Sequence, residues 1–177
     1  MVRRVLALSL LAALPAGPAP RAAADDKKEP VVLAMMPYKN GVLTAFSNCE
    51  GKPGLYRVHF SKDGQQLGEG EVVYEGVSPV TAMVEFEGGV LTAFTNCGGK
   101  ADCCRVHFSK DGQKLGEGEV RYEGASPVTA MTVYKEGVLT AFSNCEGKAD
   151  LHRIHWSKDG TKLGEGEIRF EQQVTGR

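Results

Sequence analysis

The sequence predicts an all-β protein made of three tandem four-stranded antiparallel repeats. Three observations point there. Residues 31–78, 79–126 and 127–174 align without a gap at a period of 48, and a fixed period of that size marks one supersecondary unit copied and stacked. Within each copy, short runs rich in β-branched and aromatic residues alternate with Gly, Asn and Asp turn signals. Nowhere do apolar residues recur at the i, i+3, i+4, i+7 spacing of an amphipathic helix.

The middle copy shows the elements in order. Val80 to Phe86 alternates as a first strand and stops at Glu87-Gly88-Gly89. Val90 to Thr95 follows at once as the second. After Asn96 to Asp102 comes the third, Cys104 to Phe108, ended by Ser109-Lys110-Asp111-Gly112. Glu119 to Glu123 closes the unit. The expected register of second strand against third sets Phe94 opposite Val106 and Thr92 opposite Phe108 on one apolar face. Ala93 then lies beside His107 and Thr95 beside Arg105 on the other face. A slip of one residue exchanges the faces of a strand. The same register brings Cys97 opposite Cys103. In the fourth strand Glu119, Arg121 and Glu123 alternate with Val120 and Tyr122, so half of it faces water. A gradient from an apolar first strand to a charged last strand is expected when sheets radiate from an axis as propeller-like blades, the charged edge resisting stray pairing.

The segment Phe60-Ser61-Lys62-Asp63-Gly64-Gln65-Gln66-Leu67, repeated at Phe108–Leu115 and Trp156–Leu163, resembles the Phe-Ser-Pro-Asp-Gly-x-x-Leu turn of bacterial β-propellers of the TolB and WD40-like kind, with Lys in place of Pro. It is also similar to a degenerate Asp-box of sialidase-type propellers. The repeat length and strand order resemble tachylectin-type lectin propellers. These resemblances imply a propeller fold and a lectin-like binding role, and they map no catalytic residue onto this chain. Three blades are fewer than the four to eight of closed propellers. A homo-oligomer, most simply two chains making six blades, completes the ring. The alternative architecture is a β-trefoil, which closes three four-stranded repeats into one monomeric unit.

Arg3 and Arg4, the apolar stretch Val5 to Leu14 and Ala22-Ala23-Ala24 have the grammar of a secretory signal peptide over residues 1–24, followed by a charged leader at 25–30 and a single repeat domain at 31–177. The apolar stretch is too short for a membrane span. The expected localisation is therefore secreted or periplasmic. Cleavage leaves about 150 residues, enough for a real core. It also removes three of the 21 Lys and Arg, so the 22 Asp and Glu outnumber the remainder slightly and evenly. That argues against a nucleic-acid partner, which requires clustered Lys and Arg.

Asn48, Asn96 and Asn144 each precede a Cys, with Lys52, Lys100 and Lys148 four residues on. Asn either starts the turn in left-handed conformation or offers an amide that donates to and accepts from a sugar hydroxyl. These six residues are the candidate ligand-binding set. Arg57 and His59, Arg105 and His107, and Arg153 and His155 form an Arg-x-His strand face. A three-His zinc site needs a shared axis, and on separate blades the imidazoles do not meet. The expectation is inter-sheet hydrogen bonding and no metal. Cys97 with Cys103 is the disulfide candidate, Cys104 being the alternative partner. Five Cys cannot all pair within one chain. A Cys145–His152 nucleophile has no orienting group. The pairs Glu69/Glu71, Glu117/Glu119 and Glu165/Glu167 read as a solvated connection. No phosphate loop, nucleophile elbow or metalloprotease motif occurs, and no cofactor is implied. The functional expectation is a non-enzymatic binding module with one weak site per repeat for a glycan or extracellular protein. The rivals are an assembly module that completes a ring by self-association and a propeller-type hydrolase.

Overall fold

The computed structural model describes residues 28–174. The expected signal peptide and the first residues of the leader lie outside them. The first repeat forms β1 (Val31–Tyr38), β2 (Gly41–Ser47), β3 (Tyr56–Lys62) and β4 (Glu71–Gly76). The second forms β5 (Val80–Phe86), β6 (Gly89–Phe94), β7 (Cys104–Ser109) and β8 (Glu119–Gly124). The third forms β9 (Val128–Tyr134), β10 (Gly137–Phe142), β11 (Leu151–Ser157) and β12 (Glu167–Gln173). Each repeat is its own antiparallel sheet in sequential strand order. No strand pairs between repeats among the described residues, so the sheets are propeller-like blades and the trefoil is excluded.

The first two strands of each sheet are joined by two-residue turns. Lys39, Glu87 and Lys135 take positive φ there, the backbone that matches the twist of a tight hairpin. Of the first strands, β5 lies between β1 and β9 and packs on both, and β12 is exposed along its whole length. The gradient expected from the sequence holds in the second sheet, where β5 is largely buried and no residue of β8 is. At the two ends of the array β1 and β9 are mostly exposed, because a neighbouring sheet covers only one of their faces. Each first strand carries a bulge, which in the second repeat falls between Val80 and Ala82. Thr81 sits at this bulge, and its hydroxyl donates to the Val128 carbonyl of the next sheet at 2.7 Å.

The register of β6 with β7 differs from the expected one by one residue. Phe94 lies opposite Arg105, Ala93 opposite Val106, Thr92 opposite His107 and Leu91 opposite Phe108. The expectation assumed that only one face of the sheet is buried. In fact every residue of β6 is buried. Leu91, Ala93 and Val106 pack on the third sheet, among Val138, Phe142 and Leu163. Val90 and Phe94 pack on the first, among Leu43, Ala45 and Val58. With both faces apolar, hydrophobicity alone did not choose the register. The one-residue offset persists only in the loop, where the Cys97 N–H donates to the Cys103 carbonyl at 2.9 Å.

The core therefore consists of two layers, one between each pair of adjacent sheets. Leu163 reaches from the third sheet into the second layer and is 0% exposed. Leu163→Ala is expected to cost about 2–5 kcal/mol by loss of transfer energy and creation of a cavity, read as a lowered urea midpoint. Thr44, Thr92 and Thr140 are buried with hydroxyls that have no hydrogen-bond partner. Thr92→Val removes a desolvated hydroxyl at nearly constant shape and is expected to raise stability by about 1 kcal/mol. A destabilised Thr92→Val protein would show that the hydroxyl is engaged.

Candidate functional site

The loops joining the second and third strands gather on one rim. Each begins with an Asn in left-handed conformation: Asn48 at φ 53°, Asn96 at 51° and Asn144 at 51°. Asn tolerates that region where most residues do not. A single 3-10 turn follows, Cys49–Gly51, Cys97–Gly99 and Cys145–Gly147. The Cys at its start points inward and is buried in every copy. In the first two copies its thiol donates to the carbonyl of Phe46 at 3.7 Å and of Phe94 at 3.8 Å. The copied Cys thus anchors the loop from below while the Asn presents it.

All five cysteines are free thiols, so the expected Cys97–Cys103 disulfide is not formed, nor is the alternative with Cys104. The two loop residues do meet through their backbones, as the 2.9 Å bond shows. Burial first, and then the neighbouring Cys103, pushes the Cys97 thiol up to about 11. Burial also raises Cys49, Cys104 and Cys145. A thiol held protonated is a poor nucleophile, and nothing couples Cys145 to His152.

The lysines divide. Lys52 pairs with Glu50 of its own loop at 2.8 Å and Lys148 with Glu146 at 3.2 Å. The same carboxylates accept from Arg57 and Arg153, each at 2.7 Å. These donors, Lys52 first and then Arg57, hold Glu50 down at about 2, and Arg153 with Lys148 lowers Glu146. In the middle copy Gly98 stands where the other loops have Glu. Arg105 keeps only Glu123, at 3.1 Å, and its Nε is buried without a partner. The signal for this asymmetry was present in the sequence as a single Glu-to-Gly difference between copies.

The Arg-x-His face works within each sheet, which corrects the expectation of inter-sheet pairing. Arg57 and Arg153 reach Glu75 and Glu171 on the neighbouring fourth strand. Each imidazole Nδ1 donates to a carbonyl of its own repeat: His59 to Gly70 at 3.3 Å, His107 to Gly118 and His155 to Gly166 at 3.2 Å. Since a carbonyl only accepts, each ring carries its proton on Nδ1. The rings stand edge-on to Phe46, Phe94 and Phe142, with centroids 5.3–5.7 Å apart. His is therefore the staple of the connection between third and fourth strands. The glycines it holds are obligatory, because a Cβ on Gly70 or Gly118 would lie 2.0 Å from a Phe carbonyl oxygen. Among the described residues no group of three or more His, Cys, Asp or Glu is placed to hold a metal ion.

A cleft of about 460 Å³ opens on the rim between the second and third sheets. Its walls include Thr95, Asn96 and Asp102 from one repeat and Asn144, Gly147 and Ala149 from the next. Of the six candidate ligand residues, Asn96 and Asn144 share this cleft. Asn48 belongs to another part of the rim and donates to the Glu29 carbonyl at 3.4 Å, and the lysines do not line the cleft. Asn144 uses its Oδ1 to accept from the Asp150 N–H at 3.2 Å, which keeps its amide donors available.

Burial pushes the imidazoles of His107 and His155 below the ordinary histidine range. The unfolded chain therefore binds more protons than the folded one at pH below about 6.5, and stability falls as the pH drops through that value. The lowered carboxylates Glu50, Glu123 and Glu146 lose their contribution only below their unfolded value of 4.5. The melting temperature is expected to decline between about pH 7 and 5, and to decline less in His107→Gln. A flat profile across that window would contradict the buried neutral imidazoles.

No family model matches this chain, and no match was found among curated proteins. Among solved structures, it is similar to the computationally designed Ika4 protein, with 14% identity and a TM-score of 0.42 over 82% of this chain and 74% of that one. It is also similar to the WD40 beta propeller domain of Doa1, with 13% identity and a TM-score of 0.48 over 81% of this chain and 40% of that one. The computationally designed Ika8 protein aligns with 13% identity and a TM-score of 0.36 over 77% of this chain and 49% of that one. No ligand, activity or partner is carried from these proteins to this chain.

Proposed function

We propose that this chain is an exported, non-enzymatic binding module whose ligand seat is the rim cleft between adjacent sheets. The observation that carries the reading is the meeting of Asn96 and Asn144, equivalent residues of successive repeats, on the walls of one polar-edged cleft. Two carboxamides and the Asp102 carboxylate supply both donors and acceptors, the pattern a hydroxyl-rich ligand needs. The apolar edge from Ala125, Pro127 and Ala149 suits the carbon face of a sugar ring. The ligand class is therefore a glycan, with an extracellular protein surface as the competing occupant. Export is supported by the signal-like grammar of residues 1–24. The absence of an enzymatic role is supported by the protonated buried thiols and by imidazoles already committed to backbone carbonyls.

The test is a glycan-array screen followed by titration of the best ligand. Asn96→Gly and Asn144→Gly remove the amides and keep the left-handed turn available. Together they are expected to weaken binding about tenfold or more, roughly 1.4 kcal/mol, with the β-sheet circular dichroism unchanged. Binding that survives both substitutions would move the site elsewhere. An array without hits, alongside capture of one defined extracellular protein that depends on both residues, would assign the cleft to a protein.

A further inference from the structure

We propose that two copies of this chain close head to tail into a six-sheet ring, the free face of the third sheet in each copy seating on the free face of the first sheet in the other. This does not depend on the ligand reading. Three contacts recur at both internal junctions between sheets, and each leaves matching halves unfilled at the two ends of the array.

The first contact is a backbone hydrogen bond. The Leu115 N–H donates to the Val73 carbonyl at 2.9 Å, and the Leu163 N–H donates to the Arg121 carbonyl at 3.2 Å. Both leucines are buried at 2% and 0% exposure. Their counterpart in the first repeat, Leu67, is 42% exposed. The carbonyl that corresponds to Val73 and Arg121 belongs to Arg169, on the outer strand of the third sheet.

The second contact is aromatic. Tyr74 packs on Phe94 with ring centroids 4.8 Å apart, and Tyr122 packs on Phe142 at 4.9 Å. Phe170 follows in this series and is 44% exposed. Its missing partner is Phe46, which faces the cleft beside Leu67 and Gly68. The third contact seats a ring on a turn glycine. A Cβ on Gly112 would meet Tyr38 at 2.3 Å, and one on Gly160 would meet Phe86 at 2.6 Å. Gly64, their counterpart, meets nothing beyond Val42 of its own sheet. The remaining ring, Tyr134, is 49% exposed where Tyr38 is 3%.

Charge agrees with this docking. Lys39 lies over the Tyr38 ring at 4.9 Å and donates to the Asp111 carbonyl at 3.1 Å. Lys135 lies over Tyr134 at 5.3 Å in the same way, and the corresponding acid is Asp63 on the opposite end. Of the multiples of three, only six lies within the usual span of about four to eight blades. Two chains make two identical junctions, and once one has formed the other is intramolecular and gains from a high effective concentration. A head-to-tail contact that fails to close gives open filaments instead.

Light scattering on the purified protein is expected to give twice the mass of one chain at every concentration. Leu67→Arg and Phe170→Arg each place a charge in one half of the new junction and leave both internal junctions intact. Each variant is expected to be a monomer with unchanged far-ultraviolet circular dichroism. If one of them loses its sheet signal, the other still tests the junction, and Tyr134→Arg serves as a second probe of the third-sheet face. Mixing the Leu67 and Phe170 variants is expected to restore dimer, because the mixed pair keeps one junction with native residues on both sides. A native monomer, an open ladder of larger species, or dimers unaffected by the substitutions would overturn the proposal.

Discussion

The middle four-stranded sheet of this chain has two apolar faces, and both must be kept from water. A single sheet cannot do this, since burying one face leaves the other open. The second sheet achieves it because a neighbour lies on each side, and β6 is consequently buried at every residue. Most other features follow from that stacking. Leu115 and Leu163 project backwards to plug the preceding layer. Gly112 and Gly160 lack side chains because Tyr38 and Phe86 of the preceding sheet occupy that space. At the bulge of β5 the Thr81 hydroxyl ties the second sheet to the third by donating to the Val128 carbonyl.

The stacking also makes the rim a shared surface. A loop between second and third strands belongs to one repeat, but the cleft beside it is walled by two. The left-handed Asn and the inward Cys hold each loop in the same shape, so adjacent sheets present equivalent groups to a common space. Ion networks close the first and third loops, where Glu50 and Glu146 each bridge a Lys and an Arg. Loss of that Glu at Gly98 leaves the middle loop with fewer internal partners and Arg105 incompletely satisfied. The copied residues thus build the frame, and the departure at Gly98 makes one loop distinct.

Much of the local structure was legible in the residues. The strand limits around Val80–Phe86 and Cys104–Phe108 follow from β-branched runs bounded by Gly and Asn, because those signals act within a few residues. The left-handed Asn was open to reading because few other residues accept that backbone. The Asp-Gly turn behaves as its chemistry requires: Asp111 accepts from the Gln113 N–H at 2.9 Å, and Gly112 takes φ 73°. The Arg-x-His face was visible, although its partners were not, since Gly118 lies eleven residues from His107 across an irregular connection. The juxtaposition of Cys97 and Cys103 was legible as well, but a close backbone bond leaves the thiols unjoined.

The sequence by itself determined the repeat, the strand order within it and the turn chemistry, because each depends on short-range sterics and hydrogen bonding copied every 48 residues. Tertiary structure alone decided the register of β6 with β7, the burial of both faces of the middle sheet and the pairing of Asn96 with Asn144 across one cleft. The reason is that apolar patterning reports which side chains avoid water and leaves open which neighbour covers them. That choice is made only when one sheet is laid on the next.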